Sequence, residues 1–343
     1  MFLKPCLGAL CAALCAALLT AAAGCASVSG EPPGARAKAG APSPGVARPD
    51  AVEASPRHVV RPAAPGAGKA APATGPRFEY LYLPPLSPDL QTIYERVREA
   101  DLLRRLPAVQ ALDGMFALPR RLRYITAECG EFGAFYQPGA AEVVLCYETL
   151  RTLYERGQER QRVLGLVGDD HPLRYVRASV RFMVLHETGH ALVDLLDLPV
   201  TGRQEDAVDQ LAAILMLRFA ELDETPEEVI ENLRLAANWL LSDSTGAYNL
   251  DAYAASHALG EQRYFNLQCL IYGTDPERFA GMVAARDLTP GRAAGCEREM
   301  RLVSRAWLRL LLPHLSPGYE AYGEEVRRYL DSGVPAGRSA AMH

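Results

Sequence analysis

The residues best suited to chemistry are His186, Glu187 and His190, which form the pattern H-E-x-x-H. On an α-helix, residues four positions apart leave the same face, so the two imidazoles can bind one Zn²⁺ ion together. Glu187 projects beside such an ion, where its carboxylate can act as general base toward a metal-activated water molecule. The types and spacing of these residues therefore predict a hydrolytic zinc site.

The residues around the motif predict a helix with an apolar face. Met183–Leu185 before the motif and Ala191–Val193 after it are uncharged, and no proline interrupts them. An ordinary core helix would explain these flanks. It would not explain two histidines and a glutamate inside an apolar stripe, where each polar group carries a desolvation cost. Because H-E-x-x-H also occurs by chance, the remaining parts of a site must be found elsewhere in the chain.

A catalytic zinc ion takes a third protein ligand and leaves its fourth position to water. In the metzincin pattern that ligand stands six residues after the second histidine, where this chain has Leu196, so the metzincin class is excluded. Glu205 and Asp209 stand four residues apart in the next predicted helix, a spacing that resembles the E-x-x-x-D pattern of gluzincins, the thermolysin-like class. That resemblance implies Glu205 as the third ligand and Asp209 as the acceptor of a hydrogen bond from a ligand histidine.

Asp206 is the alternative third ligand. It lies with Glu205 in the first turn of the predicted helix, where acidic residues also simply complement the helix dipole. That explanation is adequate for Asp206 but poor for Asp209, which leads into the apolar stretch Leu211–Leu215. We expect Glu205 to be the ligand and keep Asp206 as its alternative.

The chain also resembles a bacterial family of H-E-x-x-H proteins described as "putative metallopeptidase", over about residues 78–312. The resemblance implies a zincin-like fold and hydrolysis of peptide bonds, and it implies nothing about the biological substrate. The matching segments include Ala134-Phe135-Tyr136, Cys146-Tyr147-Glu148, His186-Glu187-Thr188-Gly189-His190, Glu205-Asp206-Ala207-Val208-Asp209, Glu261-Gln262-Arg263 and Tyr272-Gly273-Thr274-Asp275-Pro276.

Hydrophobic periodicity predicts an α+β domain that is mostly helical, with a small N-terminal antiparallel β-layer. The longest predicted helix spans 173–197 and carries the motif, and Pro199 and Gly202 end it. Strands are expected at 78–83, 121–127, 135–136 and 143–147. Other helices are expected at 88–100, 102–112, 226–241, 258–272, 276–286 and 290–312, with a charged helix or loop at 150–165.

The hairpin formed by 135–136 and 143–147 is the candidate substrate-binding strand pair. In zinc peptidases an edge strand beside the metal binds the substrate backbone by β-augmentation. Ala134-Phe135-Tyr136 resembles that strand of thermolysin-like enzymes, except that Gly133 stands where those enzymes have a substrate-binding asparagine. A plain edge hairpin explains the same stretch equally well.

His257 is the candidate that stabilises the transition state, by donating a hydrogen bond to the oxyanion of the tetrahedral intermediate. It lies just before a predicted helix, and Arg263 and Tyr264 are alternatives for the same task. A surface histidine at the start of a helix is an equally good explanation of His257 from sequence alone.

The first 25 residues resemble a bacterial lipoprotein signal peptide. Lys4 gives a positive start, Leu7–Ala23 is apolar, and A-A-G-C at 22–25 resembles a lipobox. Lipidation of Cys25 would anchor the chain to a membrane, and Ala26 implies the outer membrane, facing the periplasm, by resemblance to the lipoprotein sorting pattern. Because alanine stands three residues before the cysteine, where leucine is more usual, ordinary signal-peptidase cleavage and an uncleaved anchor remain alternatives.

Composition divides the rest of the chain into three parts. Residues 26–76 are dominated by Ala, Pro, Gly and Ser, so they cannot bury enough apolar surface to fold and are expected to form a disordered tether. The metallopeptidase-like domain is expected at 77–317, followed by a weakly ordered tail at 318–343 that begins with a weak helix.

The folded part contains four of the eight cysteines, an even number that suits an oxidising compartment. We expect the pairs Cys129–Cys146 and Cys269–Cys296, because each closes a short local unit. The other two connectivities and four buried free thiols remain alternatives.

The net charge of −5 does not favour nucleic-acid binding, and no phosphate-binding glycine loop is present. The sequence therefore predicts a Zn²⁺-dependent peptidase of the bacterial cell envelope, with peptides or proteins as substrates and a membrane as its anchor. The alternative is a non-catalytic envelope lipoprotein in which zinc is structural or vestigial. An intact Glu187 argues against that alternative, because a structural zinc site has no use for a base.

Overall fold

The computed structural model of the chain describes residues 78–168, 170–219, 224–242 and 253–332. The predicted signal peptide with Cys25, the predicted tether at 26–76 and the last part of the predicted tail lie outside these residues. All described residues belong to one unit, Pro56–His343. None of their helices combines the length and hydrophobicity that a transmembrane span requires.

The sheet is mixed, because two of its three strand pairings are parallel. The prediction of an antiparallel β-layer is therefore wrong for those two pairings. Its order is β1-β2-β4-β3, with β1–β2 and β2–β4 parallel and only β3–β4 antiparallel. The tight turn between β3 and β4 enforces antiparallel pairing, whereas the longer connections before them permit parallel crossovers. The strands are β1 (Phe78–Tyr82), β2 (Leu122–Ala127), β3 (Ala134–Gln137) and β4 (Glu142–Cys146).

Helices make up most of the described structure, which confirms the predicted α+β class. A short 3₁₀ helix at Pro88–Leu90 precedes the first α-helix, and another at Leu312–His314 follows the ninth. The α-helices are α1 (Gln91–Glu99), α2 (Pro107–Leu112), α3 (Tyr147–Leu164), α4 (His171–Leu195), α5 (Gln204–Arg218), α6 (Pro226–Ser242), α7 (Gly260–Thr274), α8 (Ala280–Ala284), α9 (Pro290–Leu311) and α10 (Glu320–Ser332).

Helix boundaries differ from expectation in three places, one of which is the helix expected at 276–286, found at Ala280–Ala284. The helix expected from residue 102 begins at Pro107, because Asp101 takes a left-handed backbone conformation and its carboxylate accepts a hydrogen bond from Tyr82. Beyond Pro317, where a weak helix was expected, α10 packs on α9 through the cluster of Leu308, Val326 and Leu330.

Helix α4 is the central element of the domain. It contacts α3, α5, α6 and strands β3 and β4, so it is buried on most of its circumference rather than on one face. Pro172 lies in its first turn, and Asp197, with φ of 51°, reverses the chain after its last turn. A helix held on several sides is a rigid base for the side chains of the motif.

A buried ion pair fixes the relation of α4 to its neighbours α5 and α6. The Arg181 side chain is 1% exposed and donates to the Glu224 carboxylate at 2.9 Å and to the Phe219 carbonyl at 3.0 Å. Asn232 of α6 also donates to Glu224, at 2.6 Å. Removing one partner of such a pair leaves a buried charge and typically costs about 3–5 kcal/mol.

The loop before β3 is held by several interactions. Cys129 lies at bonding distance from Cys146, as predicted, with a Cα–Cα separation of 5.5 Å. The Glu148 carboxylate accepts hydrogen bonds from the backbone of Cys129 and Gly130 at 3.2 and 2.7 Å. Thr149 accepts one from Gly133 at 2.6 Å. These contacts fix the entry into the edge strand that lies beside α4.

The second predicted disulfide joins helices α7 and α9. Cys269 and Cys296 lie at bonding distance with a Cα–Cα separation of 5.1 Å. One turn further along α7, a Cβ atom on Gly273 would lie 2.3 Å from the Cys296 carbonyl oxygen and 2.8 Å from Met300 Cβ. The glycine therefore permits the backbone contact between the two helices.

We expect Gly273→Ala to lower the free energy of unfolding by about 1–3 kcal/mol, because the added methyl group must push two helices apart. Chemical denaturation measures this change. Gly295→Ala on α9 is the matched control: its added Cβ meets no atom within 4 Å, so helix propensity predicts equal or higher stability. Equal stability of the two variants would contradict the assigned helix contact.

Candidate metal centre

Three side chains from two helices converge on one point. The Nε2 atoms of His186 and His190 on α4 are 3.3 Å apart, and Glu205 Oε2 in the first turn of α5 lies 3.1 and 3.3 Å from them. Among the described residues, this is one of two groups whose donor atoms lie close enough to hold a metal. The other contains the disulfide-bonded Cys129 and Cys146, so its sulfur atoms are already engaged.

The two middle residues of the motif place α4 against its neighbours. Thr188 is fully buried, and its hydroxyl lies 3.0 Å from the Tyr124 hydroxyl of β2. A Cβ atom on Gly189 would lie 2.9 Å from Val208 Cβ, so a larger residue would push α5 away from α4. The packing at Gly189 therefore brings Glu205 within reach of both histidines.

Hydrogen bonds to the outer ring nitrogens orient both histidines. His186 Nδ1 lies 2.7 Å from Asp209 Oδ1, and His190 Nδ1 lies 2.7 Å from Gln204 Oε1. An Nδ1–H that donates to these oxygens leaves the Nε2 lone pair free, which is the form that binds metal. Asp209 is 7% exposed and accepts two further hydrogen bonds from the Arg263 guanidinium, at 2.7 and 2.8 Å.

Local charges keep the carboxylates of the cluster ionised. Burial raises the pKa of Asp209, but hydrogen bonds from Arg263 and His186 lower it to about 2. Burial likewise opposes ionisation of Glu205, and hydrogen bonds from the histidines hold its pKa well below the usual range. Burial lowers the pKa of His186, and its bonds to Asp209 and Glu205 raise that pKa to about 9. The ionised carboxylates thus favour a positive charge at this point, which a proton on His186 or a bound cation can supply.

Glu187 stands between α4 and the edge strand. Its half-buried carboxylate accepts a hydrogen bond from the backbone of Tyr136 in β3. Burial raises the pKa of Glu187, while the neighbouring His186 and His190 oppose that rise. A carboxylate with a raised pKa beside a metal position is suited to take up and release a proton.

The donor set fits a tetrahedral metal ion. Zn–N and Zn–O bonds of about 2.0–2.2 Å in tetrahedral geometry separate neighbouring donor atoms by about 3.3–3.5 Å. The three separations here, 3.1, 3.3 and 3.3 Å, correspond to one face of such a tetrahedron. Two imidazoles and one carboxylate are also a usual ligand combination for catalytic zinc.

The structure gives the other sequence candidates different surroundings. Asp206, the alternative ligand, is not part of the donor group. His257 Nε2 lies 2.8 Å from Glu205 Oε2. The Tyr264 hydroxyl forms a hydrogen bond with the side chain of Gln268. Arg263, the remaining candidate oxyanion donor, directs two of its nitrogens to Asp209, as described above.

Sequence reasoning missed two contributors to the site. The motif patterns assign no role to Gln204, although its position directly before the proposed ligand Glu205 indicates that it lies near the site. They predict for Arg263 only a possible contact with the oxyanion, whereas its side chain contacts Asp209. Its partner is 54 residues away in sequence, and nothing in the spacing indicated that contact.

Comparison with known proteins agrees with this geometry. The sequence profile of the family described as "Putative metallopeptidase" matches residues 82–311, a range that contains the whole donor cluster, Glu187 and the edge strand. No curated protein and no solved structure matches the chain. Because the family profile covers more than half of the sequence, the chain belongs to the "putative metallopeptidase" family.

Proposed function

We propose that the protein is a zinc-dependent, gluzincin-like peptidase in which His186, His190 and Glu205 hold Zn²⁺ and Glu187 is the general base. The observation that carries this proposal is the triangle of three donor atoms on two helices, with a base beside it. Family membership supports a metal-dependent peptidase, and the donor set and its spacing support zinc.

The residues of the chain divide the work of hydrolysis. A bound zinc ion would supply Lewis acidity toward the scissile carbonyl and the attacking water. Glu187 takes a proton from that water and later passes it to the leaving amine. The hydrogen bond from the Tyr136 backbone keeps the carboxylate directed toward the space between α4 and β3. Asp209 and Gln204 hold the ligand rings in the orientation that metal binding requires.

The edge strand supports a peptide as the substrate. β3 is the last strand in the sheet order, so one of its edges has no strand partner within the described residues. An extended peptide can add to such an edge through main-chain hydrogen bonds. Because Glu187 contacts the backbone of β3, a peptide on that edge would pass close to the base.

Zinc content and peptide cleavage test the proposal together. The purified protein is expected to contain one equivalent of zinc and to cleave members of a broad peptide library, and chelation is expected to abolish cleavage until zinc is restored. Bound zinc without any cleavage would instead favour the alternative, a non-catalytic protein with a structural or vestigial metal. Absence of bound zinc would contradict both.

We expect Glu187→Gln to retain zinc and to lose at least about 100-fold in kcat, because general-base catalysis contributes about 10²–10⁴-fold. His190→Ala is expected to lose both zinc and hydrolysis. Metal analysis and the peptide-library digest measure the two effects. Glu297→Gln, an exposed glutamate on α9, is the control for the same chemical change and should behave as wild type. Retained hydrolysis in pure Glu187→Gln protein would overturn the mechanism.

We expect Gly189→Ala to weaken zinc binding by at least about tenfold, because the added methyl group displaces α5 and with it Glu205. Competition with a chromophoric chelator measures the affinity. Gly295→Ala makes the same substitution in a helix with free space and should bind zinc as wild type does. Unchanged affinity in Gly189→Ala would show that α5 is not held at this contact.

We also propose that the protein is a lipid-anchored protein of the bacterial cell envelope, and that the membrane concerned is the outer membrane.

 The A-A-G-C sequence at 22–25 supports lipidation of Cys25, and two cysteine pairs at disulfide distance suit an oxidising compartment. Mass spectrometry of the mature N-terminus is expected to find a lipid-modified Cys25, and Cys25→Ser should abolish that modification. An unmodified mature N-terminus at another residue would contradict the anchor.

A further inference from the structure

Three histidine rings approach the same oxygen atom of Glu205. His186 Nε2 and His190 Nε2 lie 3.1 and 3.3 Å from Oε2, and His257 Nε2 is closest, at 2.8 Å. His257 is not part of the group of mutually close donor atoms, so its ring nitrogen faces the carboxylate rather than the centre of the triangle.

The two ligand histidines cannot orient Glu205 once a metal is bound. Their Nε2 atoms then direct lone pairs to the metal and have no hydrogen to donate to a carboxylate. Of the three ring nitrogens close to Oε2, only that of His257 then remains as a hydrogen-bond donor to Glu205. A glutamate ligand has three rotatable side-chain bonds, and a partner outside the metal sphere normally holds such a ligand in place.

The surroundings of His257 suit a donor that is fixed in place. Its ring lies nearly parallel to that of His186, with the centroids 5.8 Å apart. The Ser256 hydroxyl lies 3.4 Å from His257 Nδ1, where its hydrogen can favour the tautomer that carries the ring hydrogen on Nε2. The His257 side chain is 46% exposed, so burial alone does not hold the ring in place. Its orientation therefore depends on the contacts with His186, Ser256 and Glu205.

We propose that His257 is a positioning residue, which holds Glu205 in the orientation that binds the metal, and not the donor to the oxyanion. The two tasks exclude each other, because one Nε2–H cannot point at Glu205 and at the substrate oxygen in the same state. This inference rests on the proposed function insofar as it takes Glu205 to be a zinc ligand.

Zinc affinity and turnover of His257 variants in the full chain test this assignment. Competition with a chromophoric chelator gives the zinc dissociation constant, and kcat is measured at saturating zinc. We expect His257→Ala to weaken zinc binding by about 10–100-fold. His257→Gln keeps a side-chain N–H donor and should recover most of that loss, whereas His257→Phe keeps the ring shape alone and should not. His314→Ala is the control for loss of a histidine elsewhere on the chain.

The outcomes separate the two roles. Weaker zinc binding in His257→Ala and His257→Phe, with recovery in His257→Gln, supports positioning of Glu205. A zinc dissociation constant within threefold of wild type in His257→Ala overturns it, and a simultaneous loss of kcat would assign the oxyanion role instead. Because zinc binding is measured without substrate, a protein that binds zinc and cleaves nothing would contradict the proposed function without affecting this test.

Discussion

The close approach of α5 to α4 is the contact on which the whole site depends. Two residues of the donor group lie on α4 and the third on α5, so the distance between these helices sets the size of the donor triangle. Gly189 permits the approach, because any Cβ atom there would overlap Val208. The motif thus supplies the histidines and also, through its glycine, the packing that brings their partner to them.

Polar groups around this contact form a connected chain, which offsets the cost of burying them. Arg263 donates to Asp209, and Asp209 accepts from His186 Nδ1, whose ring presents Nε2 to the metal position. An isolated buried carboxylate would cost several kcal/mol, and in this chain its charge is balanced by a guanidinium. The same bonds that satisfy Asp209 also determine the orientation of His186.

Sequence reasoning could predict the features that depend on short spacings. The helix expected at 173–197 is found at His171–Leu195, and the four-residue interval between Glu205 and Asp209 placed both on one face of α5. Strand direction was not predictable, because alternating hydrophobicity is the same in parallel and antiparallel strands. The contact between His257 and Glu205 spans 52 residues, and only the tertiary fold determines such a distance.

The arrangement of the donor atoms favours a catalytic metal site over a structural one. Structural zinc sites are normally closed by four protein ligands, whereas catalytic sites keep one position open. His257 contacts Glu205, but among the described residues it is not part of the donor group. In the proposed peptidase, the fourth position would be open to water or a substrate carbonyl, with Glu187 beside it. A histidine that orients a ligand without filling the coordination sphere is thus compatible with catalysis, and a fourth ligand in its place would not be.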